Sequence, residues 1–367
     1  MNAPRLEIDL HKIHHNARIL VERLATHNIS VTGITKATLG SPEIANTLLD
    51  AGVNTLGDSR IENIETLRKA GVSAPITLIR SPMLSQVEHV VMHADISFNT
   101  ELDVIKALSD AAQKVGRTHG IVLMVELGDL REGIMPGDVE DIVRKTRELP
   151  NIEFKGIGTN LACRSGVSPD TKNMAELSAL ADSLDATFGF EMDIVSGGSS
   201  SNLEWVLSSS DTGRINNLRL GESLLLGLNP LNREPIDGLH TDAFKLVAEV
   251  IEAKIKPSKP WGKIAQAAFG TPPLITNQGD ITQVLLAIGE QDTDPDGLIP
   301  PPGIEILSAS SDHLILNAKE SHPSIGDEIE FQPNYSALVR AMTSPFVAKL
   351  SAVARQLNER RFNPIFS

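Results

Sequence analysis

A single cysteine, Cys163, occurs in 367 residues. One thiol cannot close an internal disulfide, so a disulfide scaffold is excluded and a reducing compartment is expected. Positive charge is scarce too, with 33 lysines and arginines against 47 acidic residues and a formal net charge of -14. Nucleic acids and anionic membranes are held by clustered lysine and arginine, so neither is an expected partner. Long apolar runs are missing as well. The opening from Met1 to Asp9 has no stretch suited to a signal peptide, and no apolar segment of about 18 residues follows. The expectation is a cytoplasmic protein.

What is present is enough apolar residue, 41% of a 367-residue chain, to bury more than one core, so two domains are expected. From residue 30 to about 228, short apolar runs alternate with amphipathic helical segments. Strands are read near 30–36, 53–57, 75–80, 94–98, 119–127, 152–158, 191–196 and 215–220. Eight strands with crossover helices predict an α/β fold built on a closed (β/α)8 barrel of the TIM type. The stripe Leu102, Ile105, Leu108, Ala112 and Val115 has the three-to-four spacing of a core-facing helix. The prolines and glycine of Asn229 to Gly238 break the rhythm and read as a linker. Beyond them, 245–255, 281–288, 304–307, 314–316 and 328–331 read as strands without intervening helices. The expected organisation is a barrel domain over 1–235 and a smaller, mainly β domain over 240–367. Residues 1–10 are strand-like and are candidates to join the second domain, with a helix near 11–26 leading into the barrel. His11, His14 and His15 share helical spacing but have no acidic or cysteine partner, so they read as solvated or capping groups, and no metal ligands are assigned.

Chemistry in a parallel barrel gathers at the carboxyl ends of its strands. Lys36 stands there, after Val31 to Thr35 and beside Ala37 and Leu39, with no polar run to carry its charge outward. Most lysines are solvated surface charges. One desolvated at a strand end has a lowered pKa and is able to condense with a carbonyl. The other strand ends are nearly all polar, cationic or glycine: Gly57 to Arg60, Arg80, Asn99, Gly128 to Arg131, Thr159-Asn160, Ser196 to Asn202, and Arg219 to Glu222. Two glycines and three serines at 197–201, with a helical pattern directly after, suit a phosphate, and the last two loops of a barrel are a recurrent phosphate site. A flexible surface loop would have the same composition, but Lys36 and Arg219-Leu220-Gly221 tilt the reading. A phosphorylated aldehyde that condenses with lysine is pyridoxal phosphate, and arginine is one way of tuning its ring nitrogen.

Strand-end Lys36, Gly128 to Gly133, Gly158 to Ala162, the serine loop and Leu218 to Gly221 together resemble the alanine racemase family of fold type III pyridoxal phosphate enzymes. Through Gly57 to Asn63, Gly128 to Gly133, Gly156 to Leu161, Asp294 to Gly297 and Ser310 to His313, the likeness is closer to the ornithine and lysine racemase branch, and it spans nearly the whole chain. The resemblance implies Lys36 as the cofactor-linked lysine and the base on one face, and Arg219 against the pyridine nitrogen. Ser200, with Ser199 and the backbone of Gly221 and Glu222, would hold the phosphate. Arg131 would stand near the cofactor phenolic oxygen and the substrate carboxylate. Tyr335, the only tyrosine, would lie near the phosphate. A homodimer with a shared active site is implied as well.

Two positions depart from the family pattern. Asn160 stands where the family has a ring-contacting histidine, and Phe269 stands near the place of the tyrosine that serves alanine racemases as opposite-face base. Phenylalanine has no proton to exchange. Asp312 and His313 are therefore the first candidates for that face, followed by Cys163 and Tyr335. Asp58, Glu62, Asp129, Asp292, Asp294 and Asp296 are acids available to a distal substrate ammonium. The expected activity is racemisation of a basic amino acid. The competing readings are another enzyme of the same fold and cofactor (alanine racemase, decarboxylase or aldolase) and a barrel that binds a phosphorylated ligand without pyridoxal phosphate.

Overall fold

The computed structural model describes residues 3–266 and 277–351. Two units divide the chain: His11–Thr241 form one, and the residues up to Leu10 and from Asp242 onward form the other.

The first strand, β1 (Arg5–Ile8), belongs to the second unit and leads into a helix, Leu10–Ala25. That helix buries Ile13, Ala17, Leu20 and Leu24, which recur every three or four residues and so line one side of it. Eight parallel strands follow: β2 (Ser30–Ile34), β3 (Thr55–Asp58), β4 (Ile76–Leu78), β5 (Ile96–Asn99), β6 (His119–Met124), β7 (Ile152–Gly158), β8 (Ile194–Ser199) and β9 (Asn217–Leu220). They pair in chain order, and β9 closes on β2, so the expected (β/α)8 barrel is the fold. Phe98, Val122 and Met124 pack together, with Ile96 and Ile194 against them. Outside the barrel, the helix Leu102–Val115 buries Ile105, Leu108 and Ala112. Full burial of one such leucine or isoleucine contributes about 1.5–3 kcal/mol. At Gly156 (φ 147) a Cβ would run into the carbonyl of Ile194, so the approach of β7 to β8 requires glycine.

The presumed linker is ordered and part of the barrel unit. Leu228 bridges to Pro235, Asn229 N donates to the Glu234 carbonyl at 2.9 Å, and Ile236 N donates to that of Gly227 at 2.8 Å. Proline and glycine mark a tight turn here, which composition alone does not separate from a linker.

The second unit is an eight-stranded sheet. Its later strands are β10 (Phe244–Pro257), β11 (Asp280–Leu286), β12 (Leu298–Ile299), β13 (Glu305–Ala309), β14 (Leu314–Asn317), β15 (Glu328–Pro333) and β16 (Ala348–Ser351). β1 lies between β10 and β16, antiparallel to the former and parallel to the latter. The unit also contains a helix that the strand reading omitted, Tyr335–Thr343, started by the Asn334 side chain accepting from Ala337 N at 2.9 Å. Its buried face is Ala337, Leu338, Ala341 and Met342.

Candidate active site

Lys36 opens a single helical turn, Lys36–Thr38, directly beyond β2. The turn is fixed to the end of β3. Thr35 N donates to the Gly57 carbonyl at 2.9 Å, and Thr35 Oγ1 donates to Asp58 Oδ2 at 2.7 Å. Asp58 is fully buried and also accepts from Arg60 N at 2.9 Å and Asn63 Nδ2 at 3.0 Å. Burial raises its pKa even so, although these donors pull it down. Solvent reaches the Lys36 residue, yet enough protein is packed around its ammonium to penalise the charge. Desolvation accordingly lowers the ammonium pKa. Cys163 and Asp58 offset part of this, and the cations Arg131 and Arg219 add to it.

Arg219 projects from β9 and is 5% exposed. Its Nη1 donates to Ser196 Oγ at 2.6 Å, and its Nη2 donates to the Thr159 carbonyl at 2.8 Å and Asn160 Oδ1 at 3.2 Å. The guanidinium carbon lies 5.0 Å from the centroid of the Phe98 ring. All three acceptors are neutral, so burial lowers the pKa to about 10 and leaves a cation at neutral pH that no carboxylate compensates through these bonds.

Between β8 and β9 the serine loop makes a second constellation. Gly198 (φ 144) turns the chain where a Cβ would meet the Asn202 side chain. Asn202 Oδ1 accepts from Ser199 N at 3.2 Å, and Ser199 Oγ accepts from Ser201 N at 3.5 Å. Ser200 Oγ joins this loop to the next, accepting from Gly221 N at 3.2 Å and Ser223 N at 3.3 Å, with Ser223 Oγ 2.9 Å away. Ser200 and Gly221 thus converge, together with Ser223, which had no motif to mark it, and Ser199 is held beside them by Ser201 and Asn202. Glu222 begins the helix Glu222–Leu226, and its own carboxylate pairs with Arg233.

Arg131 lies on a loop organised by Glu126, a residue the motif reading passed over. Glu126 accepts from the backbone N–H groups of Gly128 (2.6 Å), Leu130 (2.9 Å) and Arg131 (3.2 Å). The Arg131 guanidinium pairs with Glu132 and donates to Cys163 Sγ. Asp129 is buried and accepts from Arg164 N at 2.9 Å and Ser165 N at 3.0 Å. Asp58 and Asp129 therefore hold the scaffold in this structure rather than stand ready for a substrate ammonium. Lys36, Arg131, Asn160, Cys163, Ser199, Ser200, Arg219, Gly221 and Glu222 all belong to the barrel unit.

Asp312, His313 and Tyr335 belong to the other unit. Asp312 and His313 are exposed in the turn joining β13 to β14. Asp312 accepts from Ser311 Oγ at 2.8 Å and from Gln291 Nε2, and His313 Nδ1 lies 3.4 Å from Ser310 Oγ. Tyr335 is the first residue of its helix. Phe269 lies outside the described residues. His15 Nε2 lies 2.9 Å from the Gly238 carbonyl, a bond from mid-helix to the turn after the barrel rather than a helix cap.

Comparison with known proteins gives the family. The family model for the alanine racemase N-terminal domain matches residues 8–230. Over 350 residues the chain is 39% identical to an ornithine racemase of Acetoanaerobium sticklandii, covering 94% of this chain and 99% of that one. A lysine racemase of Thermotoga maritima is 39% identical over 349 residues, covering 95% and 98%. The chain belongs to the alanine racemase family.

Solved structures agree on the fold that this family uses. An alanine racemase from Clostridium difficile 630 superposes with a TM-score of 0.71 at 19% identity, covering 96% of each chain. A D-threonine aldolase from Filomicrobium marinum superposes with a TM-score of 0.74 at 17% identity, covering 96% of this chain and 92% of that one. At such identity the likeness carries the fold alone, and one fold serves more than one reaction. No helix among the described residues is long and apolar enough to cross a membrane.

Proposed function

We propose that this chain is a racemase that uses pyridoxal phosphate to interconvert the enantiomers of a basic amino acid, ornithine or lysine. The observation that carries the reading is the 39% identity to an ornithine racemase and to a lysine racemase over nearly the full length of each. The barrel mouth fits such a cofactor: a desolvated amine at Lys36, a buried guanidinium with neutral acceptors at Arg219, and converging hydroxyls and N–H groups at Ser200, Gly221 and Ser223, with Ser199 beside them.

When bound, pyridoxal phosphate supplies an electron sink for negative charge at the substrate α-carbon. Lys36 would hold it and would move the proton on one face through Nζ; desolvation leaves this amine neutral at lower pH than a surface lysine. Arg219 would face the ring nitrogen with a positive charge and gives up a proton reluctantly. Asn160 steadies that guanidinium. Ser199, Ser200 and the backbone of Gly221 and Glu222 would hold the phosphate, Arg131 would receive the substrate carboxylate, and the part the family resemblance gives Tyr335, near the phosphate, belongs to the sheet unit. For the opposite face the candidates are Asp312, His313, Cys163 and Tyr335; of these, Cys163 is in the same unit as Lys36. A homodimer with a shared active site and a cytoplasmic location complete the reading, the first resting on the family and the second on the lone cysteine.

Incubation of the holoprotein with a panel of L-amino acids, followed by chiral chromatography, tests it. D-Ornithine or D-lysine should form at least about tenfold faster than D-alanine, and Lys36→Ala should form neither. Inversion confined to alanine, or loss of carbon dioxide or of an aldehyde in place of inversion, would overturn it.

A further inference from the structure

Away from the barrel mouth, one group of metal-ligating side chains has no part in this chemistry. His89 and His93 lie four residues apart on the helix Val87–His93, so one turn separates them and they share a side of it. Glu65 comes from the preceding barrel helix, Ile61–Lys69. Its Oε1 is 2.6 Å from His89 Nδ1 and 3.9 Å from His93 Nε2, and one ligand atom from each of the three lies within 4.8 Å of the others. We propose that Glu65, His89 and His93 form a binding site for a divalent transition metal, zinc foremost, on the helical exterior of the barrel.

Two imidazoles and a carboxylate are a zinc donor set, with the fourth tetrahedral position open to water. Bonds of about 2.0–2.2 Å place such donors roughly 3.3 Å apart. His89 would move away from Glu65 and His93 toward it, and the two imidazoles, within 4.8 Å of one another, would close up, which their side-chain torsions allow, since the side chains are 63% and 31% exposed. The helices are already registered. Gln86 Nε2 donates to Glu62 Oε1 at 2.7 Å one turn before Glu65, and Arg68 Nε donates to the His93 carbonyl at 3.0 Å. Lys69 competes only in part: its Nζ is 3.7 Å from Oε2, the oxygen the histidines do not face, and it is 76% exposed and free to swing away. A simple ion pair would need one histidine. The second, directed at the same oxygen, is what makes a chelate.

The full-length protein, stripped of metal with EDTA, should be titrated calorimetrically with zinc chloride and followed in the visible with cobalt(II). One equivalent of zinc should bind, cobalt should give the intense band of tetrahedral coordination, and His93→Ala and His89→Gln should each weaken zinc binding about tenfold or more. His89→Gln alters an exposed side chain, so it keeps the test decisive where His93→Ala misfolds. Superposable isotherms for wild type and His89→Gln, or cobalt that keeps its weak aqueous spectrum, would overturn the proposal.

Discussion

Arg219 Nη2 donates to Asn160 Oδ1 at 3.2 Å, so a neutral amide helps to hold the buried guanidinium. Together with Ser196 Oγ and the Thr159 carbonyl it orients a cation that desolvation makes costly to keep.

Arg219→Lys should therefore be more damaging than Asn160→Leu. The ammonium cannot reproduce a planar fork that meets three separated acceptors, and leaving two of them unmet costs about 1–3 kcal/mol each. Removing Asn160 deprives Nη2 of one of its two acceptors and should cost about 1 kcal/mol. Urea denaturation of both variants checks the order. Equal destabilisation would mean that the guanidinium geometry is unimportant.

The second prediction concerns Lys36. Burial lowers its pKa from the ordinary 10.5, so the neutral, nucleophilic amine is present at lower pH than on a surface lysine. The rate at which apoprotein gains visible absorbance from added pyridoxal phosphate should rise with pH to a plateau whose midpoint lies below 10.5, and Lys36→Ala should gain none. A midpoint at or above 10.5 would show an ordinary, solvated amine.

Much of this was legible because a parallel barrel concentrates polar residues where strands end: Lys36, Arg219 and the serine loop stood out against apolar runs. Residues that act on backbone did not. Glu126 organises the Arg131 loop by accepting from N–H groups two to five residues on, a role with no side-chain partner to complete a motif. Asp58 read as an acid available to a substrate ammonium because sequence does not reveal that Thr35, Arg60 and Asn63 enclose it. The helix Tyr335–Thr343 was missed among strands because two turns, capped by Asn334, offer too little periodicity to outweigh their neighbours.

Cys163 carries the third prediction. It accepts from the Arg131 guanidinium and belongs to the same unit as Lys36. If it moves the proton on the opposite face, Cys163→Ala should lose inversion by about a hundredfold or more yet still exchange the α-hydrogen of one enantiomer for deuterium without inverting it. Asp312→Asn and His313→Gln should then invert at near wild-type rates. The opposite ranking would move the second proton to the sheet unit.

His119, 1% exposed on β6, sets an acid limit on stability. Desolvation is the main cause of a pKa lowered from 6.5 to about 4; a backbone hydrogen bond with Ala94 and the charge of Asp95 oppose it, and Arg117 adds to it. Its Nε2 lies 2.8 Å from Ser97 Oγ. As pH falls below 6.5 the unfolded chain takes up a proton that the folded chain refuses until about pH 4, so the unfolded state binds more protons and stability declines across that window. A difference of about 2.5 pKa units corresponds to about 3 kcal/mol by pH 4. His119→Gln cannot titrate, so between pH 6.5 and 4 it should lose about 3 kcal/mol less than the wild type, whatever it costs at neutral pH. Urea melts at half-unit pH intervals check this, and parallel stability curves for the two proteins would show that this imidazole is protonated in the folded state as readily as in the unfolded one.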